Sequence, residues 1–538
     1  MPGTFSTDLT TLTTADAITG YTAIGTFSVS PRIDTGVKVQ GTNGLIGSGP
    51  SAANGTVWWK YTLTSADLTD GRHIFPWAMM TSLGVADTKA NGGVRIAAGS
   101  GAGTASGTFP TDGLTAGKCW RVDGIDSNRY SGWTCYVVDP NGTPDFTTGT
   151  PNMATTVWIA VGLRSTAAIL DTTFNFCVDA LRLGKGHTVI DGTTGAPVTF
   201  ADIIAYDSNN TNVFGVFIQA GGVYQLSGKM TFGTTGQVAV TVFKEASKTL
   251  LFPDLPVSAT HYELIGNGAA SFLTTITFGT LSGSDTSGGC TISALGAAKW
   301  AVTANANSKF QFYGCNLSGL RASVLNSISD MRNTSLSACA DITTGGATIT
   351  GCQFQNGSAT YALIIASAAE AAVVTACAFS GMVRAIKITA IGTYTFDNLK
   401  FSGNTYDVEN SSAGLVTINA TNGSNPATVI NTGGGSVTIN NSVTLTVTVK
   451  DDLGVAIQNV RVSIHRTSDA LEILNALTNA SGVATTTYNY TVDVPITIRV
   501  RKNTTGSTRY VNQKSSGTIT ISGYSSIVTL SQDTVASA

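Results

Sequence analysis

Five stretches between residues 310 and 403 repeat one spacing of apolar residues. If the last large apolar residue of each stretch is numbered zero, apolar or small residues recur at −7, −5, −2 and 0, with Ser329 as the exception. The zero positions lie 19, 18, 25 and 22 residues apart and are Leu317, Leu336, Phe354, Phe379 and Phe401. A pattern that returns at such a period predicts stacked supersecondary units, none of which can bury its apolar face alone.

Each half of the repeat has the period of a β-strand. The −7/−5 pair and the −2/0 pair both alternate with period two, and the phase slips by one residue between them, near Gly314, Gly351 or Asn398. Two short strands joined by a tight bend account for this slip. The sequence therefore predicts a right-handed parallel β-helix with roughly 20 residues per turn and about 4.8 Å between turns. An antiparallel sandwich, the alternative, would need hairpins and would not repeat one inward set of side chains.

This repeat resembles that of the parallel β-helix proteins of phage tailspikes and of pectin-lyase-like enzymes. The resemblance covers roughly residues 190–440 and rests on the form of the repeat, without a catalytic signature. It implies a rigid rod, often a homotrimer in virions, and does not by itself imply catalysis. Residues 200–300 are expected to continue in strands, as an irregular start of the β-helix.

The segments on either side predict antiparallel sandwiches. Residues 1–185 hold six of the seven tryptophans and alternate cleanly at 57–63, 157–163 and 174–180. The end of this segment, 176–184, resembles the last strand of carbohydrate-binding jelly rolls. The predicted fold class is therefore all-β: a right-handed parallel β-helix at 186–440, flanked by a jelly-roll-like sandwich at 1–185 and a second sandwich at 441–538.

The second sandwich is predicted from three consecutive features. A strand at 443–449 runs into an Asp-x-x-Gly turn at 451–454, and the segments Asn-Val-Arg-Val (459–462) and Thr-Asn-Ala-Ser-Gly-Val-Ala (478–484) follow. This order is similar to that of the Ig-like and carboxypeptidase-regulatory-like sandwiches of surface adhesins and phage virions. The similarity implies a fold and says little about a ligand.

Composition excludes several classes of protein. Charged residues make up 12% of the chain, against about 25% in average globular proteins, while 42% hydrophobic residues in alternating runs exclude disorder. The net charge of −2 gives no reason to expect binding to nucleic acid or to an anionic membrane. The first residues show no signal-peptide pattern, and no apolar run approaches the length of a membrane span.

The eight cysteines are predicted to be unpaired, and three of them to be buried. None forms a Cys-x-x-Cys motif, and Cys315, Cys352 and Cys377 all occupy the −2 position of the repeat, which favours small apolar residues in an inner stack. A disulfide framework, the alternative, is more typical of smaller secreted chains. A chain that lacks a signal peptide but has the composition of an extracellular rod suggests a virion protein, assembled in the host cytoplasm and released by lysis.

The outward positions of the repeat offer two catalytic candidates. Hydrolysis of a polysaccharide needs two carboxylates about 5–9.5 Å apart. Asp330 at −6 and Asp397 at −4 lie three turns apart, about 14 Å at the predicted spacing, which is too far for a working pair. Asp330 is expected to form an ion pair with Arg332 on the same strand face. Acids on bends remain without a role, namely Asp341, Glu370, Asp407 and Glu409.

Two further candidates lie in the first sandwich. Trp58 points away from Trp59 and Tyr61, so it is expected either to stack on a sugar or a neighbouring subunit, or to pack in a second layer of the core. Asp123, Asp126 and Asn128 could form a calcium loop, with Asp123 and Asp126 as candidate metal ligands, although the EF-hand spacing is missing and a solvated turn is the alternative. The four histidines have no metal-ligand spacing, and no phosphate-binding motif or cofactor is predicted.

These observations lead to one functional hypothesis and two alternatives. We expect a structural virion protein of a tailed phage, a homotrimeric fibre or spike for host attachment or surface display, whose partners are other virion proteins and a host surface glycan. The first alternative is a capsid-attached fibre or decoration protein. The second is a polysaccharide-degrading tailspike, a glycoside hydrolase or lyase, with acids on bends or between subunits.

Overall fold

The fold is almost entirely β, with 54% of residues in strands and 3% in helices. The computed structural model describes residues 4–82, 87–101, 116–124, 132–191, 198–209, 217–220, 223–233, 240–243, 248–294, 299–355, 361–490, 493–502 and 508–534. A parallel β-helix combined with antiparallel sandwiches confirms the predicted fold class. The chain divides into two compact units, Met1–Thr343 and Thr344–Ala538. The predicted domain limits at 185/186 and 440/441 stay predictions.

The first unit begins with an antiparallel sandwich. Its two sheets have the strand orders β10-β7-β13-β5-β4, with β2 also on β13, and β11-β9-β8-β12-β6-β3, and a 3-10 helix at Met153–Thr155 precedes β12. The strands of the sandwich are β2 (Thr10–Thr13), β3 (Tyr21–Ile24), β4 (Arg32–Asp34), β5 (Gly44–Gly47), β6 (Thr56–Ala66), β7 (His73–Met80), β8 (Gly93–Gly99), β9 (Gly117–Asp123), β10 (Thr134–Cys135), β11 (Phe146–Thr148), β12 (Thr156–Arg164) and β13 (Phe176–Gly184), and β1 (Thr4–Thr7) precedes them.

Alternation along β6 sets the two faces of its sheet. The Tyr61 hydroxyl donates to the Leu12 carbonyl of the opposing sheet at 3.2 Å, so Tyr61 and Trp59 face the interior between the sheets. Trp58 and Lys60 occupy the outer face of the same sheet. The three alternating segments predicted as strands correspond to β6, β12 and β13, which confirms them.

Parallel pairing begins at β14 and builds the β-helix of the first unit. Three ladders run β14-β17-β20-β25-β28-β31, β16-β19-β24-β27-β30 and β18-β21-β26-β29, while β1 and β15 add antiparallel edges to β14 and β16. The elements are β14 (His187–Asp191), α1 (Phe200–Asn209), β15 (Phe217–Ala220), β16 (Val223–Leu226), β17 (Lys229–Phe232), β18 (Val240–Phe243), β19 (Thr249–Phe252), β20 (Tyr262–Gly266), β21 (Thr274–Phe278), β22 (Thr280–Ser282), β23 (Asp285–Ser287), β24 (Thr291–Ala294), β25 (Trp300–Ala304), β26 (Ser308–Tyr313), β27 (Asn316–Ser318), β28 (Ser323–Val324), β29 (Asp330–Arg332), β30 (Ser335–Ser337) and β31 (Ile342–Thr343).

The β-helix of the second unit has the same three-ladder plan. Its ladders run β34-β37-β40-β42, β33-β36-β39 and β32-β35-β38-β41. The elements are β32 (Thr348–Thr350), β33 (Gln353–Gln355), β34 (Leu363–Ile365), α2 (Ala368–Ala372), β35 (Val374–Thr375), β36 (Ala378–Ser380), β37 (Arg384–Ile388), β38 (Gly392–Asp397), β39 (Lys400–Ser402), β40 (Tyr406–Asn410), β41 (Leu415–Thr421) and β42 (Val429–Asn431).

The predicted phase slip is a corner with a left-handed backbone. Position −3 has a positive φ in all five repeats, at Gly314, Asn333, Gly351, Ala376 and Asn398. Glycine and asparagine tolerate this conformation best, which is why they recur there. The corner turns the chain between the −7/−5 strand of one ladder and the −2/0 strand of the next. Each full turn also contains a third strand, which the repeat did not reveal.

The inner face of the turns is apolar, and all eight cysteines are free and buried. Cys315, Cys352 and Cys377 are each at most 1% exposed, so the prediction of a buried position −2 is confirmed. The other two repeats have Thr334 and Leu399 at position −2.

The start of the β-helix corrects one expectation. Residues 200–209 form the helix α1 and are not a strand. The Thr199 hydroxyl donates to the Asp202 carboxylate at 2.7 Å and accepts from the Asp202 backbone N–H at 3.2 Å, which is a reciprocal helix cap. Phe200 then packs against Tyr224, with ring centroids 4.4 Å apart.

The second unit ends in an antiparallel sandwich whose first strand is shared with the β-helix. Residues 415–420 of β41 pair in parallel with the first part of β43, and residues 442–448 of β43 pair antiparallel with β46. The sheets are β46-β43-β49 and β45-β44-β47-β48. The strands are β43 (Ser436–Asp451), β44 (Arg461–Arg466), β45 (Glu472–Leu477), β46 (Val483–Asn489), β47 (Val494–Arg501), β48 (Gln513–Ile519) and β49 (Tyr524–Leu530).

Candidate functional site on the β-helix surface

Asp330 is held by two neighbours on the outside of the β-helix. Arg332 Nε lies 2.9 Å from its carboxylate, which confirms the expected ion pair, and the Tyr313 hydroxyl donates to it at 3.2 Å. Burial and the adjacent Asp330 charge raise the pKa of Tyr313 to about 12. The hydrogen bond to Asp330 likewise raises the pKa of Arg332. Asp330 is therefore a carboxylate whose acceptor positions are used within the chain.

Asp397 is also engaged, in the second unit. Its carboxylate accepts from the Thr421 hydroxyl at 3.0 Å and from the Asn422 side-chain amide. Both donors lie on or just after the adjacent strand β41, so the contacts join neighbouring turns. Asp330 and Asp397 belong to different compact units, and a catalytic role for either residue stays a prediction.

Trp58 does not reach the surface. It lies on the outer face of its sheet, as its position on β6 predicts, but it is fully buried and packs with Ala97, Cys119 and Trp158. A Cβ atom added at Gly162 would lie 2.3 Å from the Trp58 ring, so the indole lies flat on the neighbouring strand. Packing in a second layer accounts for Trp58, and stacking on a sugar does not.

The candidate calcium loop is described at one of its two ends. Asp123 is buried and accepts from the Tyr136 hydroxyl at 2.5 Å and from the Gly124 backbone N–H at 2.9 Å. Asp126 and Asn128 lie outside the described residues. Within the part of the chain that is described, no three His, Cys, Asp or Glu side chains come together as a metal site.

A connected group of charges lies on the outer face of the second unit's β-helix, on β37, β40 and the segment just before β34. Arg384 Nη1 and Lys387 Nζ donate to the Tyr361 hydroxyl oxygen at 3.2 and 3.4 Å, and this hydroxyl donates to Glu409 at 3.3 Å. Lys387 Nζ also lies 4.4 Å from the centroid of the Tyr361 ring. Two cations, a phenol and a carboxylate thus form one connected cluster, here called the Tyr361 cluster.

Glu409 is the buried member of the Tyr361 cluster. It is 2% exposed, and its Oε1 accepts from the Thr432 hydroxyl at 2.7 Å. Arg384 Nη1 lies 3.0 Å from Oε2, but Oε2 has no hydrogen bond of good geometry, so this contact is an ion pair only. A carboxylate buried in this way is bonded to groups of the neighbouring turns and is closed to a polymeric substrate.

Asp407 precedes Glu409 by two residues and joins adjacent turns. Its carboxylate accepts from the backbone N–H groups of Ala427 and Thr428 at 2.8 and 3.0 Å, and from the Asn404 amide at 2.9 Å. Asp407 is 5% exposed. Two carboxylates on one strand face are suggestive of a catalytic pair, but these two are buried and used as turn-to-turn connectors.

Glu263 plays the same part in the first unit. It accepts from Lys229 Nζ at 3.0 Å and from the Thr303 hydroxyl at 2.5 Å, which lie on the strands before and after its own in the ladder. Burial alone would raise the pKa of Glu263, but the bonds from Thr303 and Lys229 outweigh it and lower that pKa. A general acid needs a raised pKa, so Glu263 is unsuited to that role.

Six of the described acids of the β-helix share one arrangement. Each of six carboxylates has at least two donors or cations of this chain beside it: Glu263, Asp330, Glu370, Asp397, Asp407 and Glu409. Such carboxylates hold neighbouring turns in register. None of these six carboxylates lacks partners within the chain, as a carboxylate that faces a substrate would.

Comparisons with known proteins give little to set beside this geometry. No protein-family model matches the chain, and no curated protein matches it. Among solved structures, two variants of the catalytic domain of a GH87 alpha-1,3-glucanase in complex with nigerose are similar at 11% identity and a TM-score of 0.16, over 84% of this chain and 78% of theirs. These values are too low to transfer the reaction of the glucanase to this chain.

The Tyr361 cluster is the site that the sequence did not reveal. The five-fold repeat consists of positions −7 to 0, whereas Arg384 and Lys387 on β37 and Glu409 on β40 lie on the third strands of their turns. A signal was present, because Arg384-Ala-Ile-Lys-Ile388 and Tyr406-Asp-Val-Glu-Asn410 follow the zero positions by similar intervals. Aligning these segments would have placed Lys387 beside Glu409, as the parallel register does.

Proposed function

We propose that this chain is a non-catalytic attachment or display protein, in which a β-helical rod carries a sandwich before it and a sandwich after it. The observation that carries the proposal is the state of six acids on the rod. Each of the six carboxylates described above is used by donors of the same chain, and two of them, Asp407 and Glu409, are nearly fully buried. A hydrolase that protonates a glycosidic oxygen needs a carboxyl group that reaches its substrate.

The remainder of the rod surface supports the same role. Its regular outward positions carry hydroxyl and amide side chains, which bond along the ladder from turn to turn. Examples are Thr350 with Thr375, at 3.2 Å between hydroxyls, and Asn440 with Asn419, at 3.0 Å. A surface of this kind suits a stiff spacer.

The experiment measures binding and cleavage on the same sample. The purified chain is passed over immobilised capsular and O-antigen polysaccharides, and the length and reducing ends of the soluble polymers are followed in parallel. We expect retention on at least one polymer with no change in its length. Shortening of a polymer would refute the non-catalytic role, and absence of retention on every polymer would refute attachment.

We further propose that the rod is a fibre or spike of a tailed phage virion and a homotrimer, with a capsid-attached fibre or decoration protein as the alternative placement. The support is the combination of a low charge content, a β-helix and flanking sandwiches in one chain. Sedimentation equilibrium tests the trimer, since a monomeric mass would exclude it. Antibody labelling of purified particles in the electron microscope distinguishes tail from capsid.

A polysaccharide lyase is a second candidate, favoured only by the Tyr361 cluster. In a lyase, two cations can neutralise the carboxylate of an acidic sugar, and a phenol beside them can transfer the proton that the sugar loses. The test is the ultraviolet absorbance of unsaturated products from an acidic polysaccharide. Product that forms with the natural chain and is lost in Tyr361→Phe supports the lyase, and no product from the natural chain excludes it.

A further inference from the structure

The outer face of the sheet β11-β9-β8-β12-β6-β3 brings three arginines together at one end. Arg95 on β8 lies opposite Arg121 on β9 in the strand register. Arg164 lies on β12, the other neighbour of β8, opposite Gly93. They line a surface pocket of about 300 Å³ together with Asn91, Phe146 and Thr166. In a chain with only 12% charged residues, three guanidinium groups in one pocket are a marked concentration of positive charge.

Arg95 is the unusual member because it is buried without a counter-ion. It is 1% exposed, and its Nε and Nη1 groups have no hydrogen-bond partner. Nη2 alone reaches a backbone carbonyl, that of Gly92, at 3.5 Å. Burial, with the neighbouring Arg121 and Arg164 charges, lowers the pKa of Arg95. A buried guanidinium with unused donors costs free energy unless an anion binds to it.

The neighbours of Arg95 do not provide that anion. The guanidinium faces the Cys119 thiol, but burial raises the pKa of Cys119 to about 12, so the thiol is neutral. Asp145 accepts from the Arg121 backbone N–H at 2.7 Å and lies 3.9 Å from Arg121 Nε. Asp87 accepts from the backbone N–H and hydroxyl of Thr166. The acids at the rim are thus used by other donors.

Phe146 holds two of the arginines in place. The Arg121 guanidinium carbon lies 4.6 Å from the centroid of the Phe146 ring, and that of Arg95 lies 5.3 Å away. A guanidinium held over an aromatic ring has less freedom to rotate, so the directions of its donors are restricted. Arg164 is fixed separately, by bonds to the Asn54 and Asn91 carbonyls at 2.9 and 3.3 Å. The pocket is therefore organised before any ligand arrives.

We propose that this pocket binds the carboxylate of an acidic saccharide, with Arg95 and Arg121 as the carboxylate ligands. A planar guanidinium matches a carboxylate with two parallel hydrogen bonds. The pocket is larger than a bare inorganic anion requires, and Asn91 and Thr166 supply polar lining for a ligand with hydroxyl groups. This proposal rests on the proposed attachment function in one respect only, namely that the saccharide comes from a surface polysaccharide.

Calorimetric titration of the full chain with sodium D-glucuronate, at constant ionic strength, tests the proposal. Uncharged D-glucose and inorganic sulfate serve as the comparison ligands. We expect glucuronate to bind, glucose not to bind, and sulfate to bind more weakly than glucuronate. Sulfate binding as tight as that of glucuronate would overturn the saccharide assignment, and absence of glucuronate binding would overturn the site.

Variants assign the binding to Arg95. Arg95→Met and Arg121→Met should each weaken glucuronate binding by about tenfold or more, whereas Arg72→Met, which removes an equal charge from a partly exposed position outside the pocket, should leave it unchanged. Arg95→Met should also melt no lower than the natural chain, because it removes a buried charge without a partner. Glucuronate binding that survives in both pocket variants contradicts the proposal.

The two proposals can fail separately. Cleavage of an acidic polysaccharide by a chain that binds glucuronate through Arg95 would refute the non-catalytic role and leave the pocket intact. Retention on a neutral polysaccharide, without glucuronate binding, would refute the pocket and leave attachment intact.

Discussion

Phe354 and Phe379 stack in parallel inside the β-helix of the second unit, with ring centroids 4.8 Å apart and ring planes 7° apart. Phe401 continues the stack, 5.2 Å beyond Phe379. These separations are close to the spacing of neighbouring strands in a sheet, because each ring occupies position zero of its own turn. The spacing of the turns therefore determines the spacing of the rings.

Phe379 is the middle ring of this stack, so shortening it should affect both neighbours. Phe379→Ala is expected to lower the free energy of unfolding by about 3–5 kcal/mol, since it leaves a cavity between two rings. Phe379→Leu keeps most of the volume and should cost less than half of this. Urea denaturation followed by circular dichroism measures both values. Equal losses in the two variants would show that ring stacking and volume do not determine the stability of these turns.

Removing Arg384 should be costly because it leaves Glu409 charged and buried. Arg384→Met is expected to lower the free energy of unfolding by about 3–5 kcal/mol, and the double variant Arg384→Met, Glu409→Leu should recover most of that loss. Arg332→Met is the matched control, because its partner Asp330 is partly exposed. This variant should lower the free energy of unfolding by only about 0–1 kcal/mol. A double variant as unstable as Arg384→Met would contradict an unpaired buried charge as the cause.

His261 makes the first unit sensitive to acid. It is 3% exposed, its Nε2 lies 2.7 Å from the Ser227 carbonyl oxygen, and its ring centroid lies 4.7 Å from that of His73. Burial, together with the adjacent His73, lowers the pKa of His261 to about 3. Burial also lowers the pKa of His73.

The sign of the effect follows from these pKa values. The unfolded chain binds a proton on His261 below about pH 6.5, whereas the folded chain binds it only near pH 3. The contribution of neutral His261 to the free energy of unfolding is therefore fully present above about pH 6.5. As the pH decreases from about 6.5 towards about 3, this contribution falls by at most about 1.4 kcal/mol per pH unit.

His261→Gln, which keeps a donor for the Ser227 carbonyl and cannot titrate, isolates this effect. The melting temperature of the natural chain should fall more steeply between about pH 7 and about pH 4.5 than that of the variant. Scanning calorimetry at several pH values gives the comparison. Parallel curves for the two proteins would rule out His261 as the source of acid sensitivity.

The eight thiols should be unreactive in the folded protein. All are buried, and burial raises the pKa of Cys119, Cys177 and Cys339 to about 12, far above the pH at which thiolate reagents are used. Ellman's reagent should therefore detect no thiol at about pH 8 until the chain is unfolded. Thr395→Cys, at an exposed position of the repeat, provides a rapidly reacting control. A natural thiol that reacts as fast as this control would contradict the buried positions.

The β-helix was predictable from the sequence because its period is visible in single residues. The inward residues at −2 and 0, the corner at −3 and the strands on either side were all recovered from the repeat, since glycine and asparagine mark a left-handed corner. The third strand was missed because its length and spacing vary. The helix α1 was missed because its signal is the local Thr199–Asp202 cap, which does not repeat.

The functional residues were less predictable, because their setting depends on contacts between distant segments. Trp58 alternates onto an outer face, and its burial follows from Gly162, which is over 100 positions away and gives the indole room to lie flat. Glu409 looked like an acid on a bend until the register placed it beside Lys387. Arg95 and Arg121 meet through strand pairing, which no spacing within either strand reveals.

Strand β43 has a mechanical consequence for the second unit. It is 16 residues long, so it spans roughly 50 Å at about 3.3 Å per residue, and its two parts are hydrogen-bonded to different domains. No loop separates those parts, so the terminal sandwich cannot swivel on the end of the rod. A sideways load on the sandwich is carried directly by the backbone hydrogen bonds between β41 and β43. We therefore expect torque on the sandwich to reach the turns of the second unit through these hydrogen bonds.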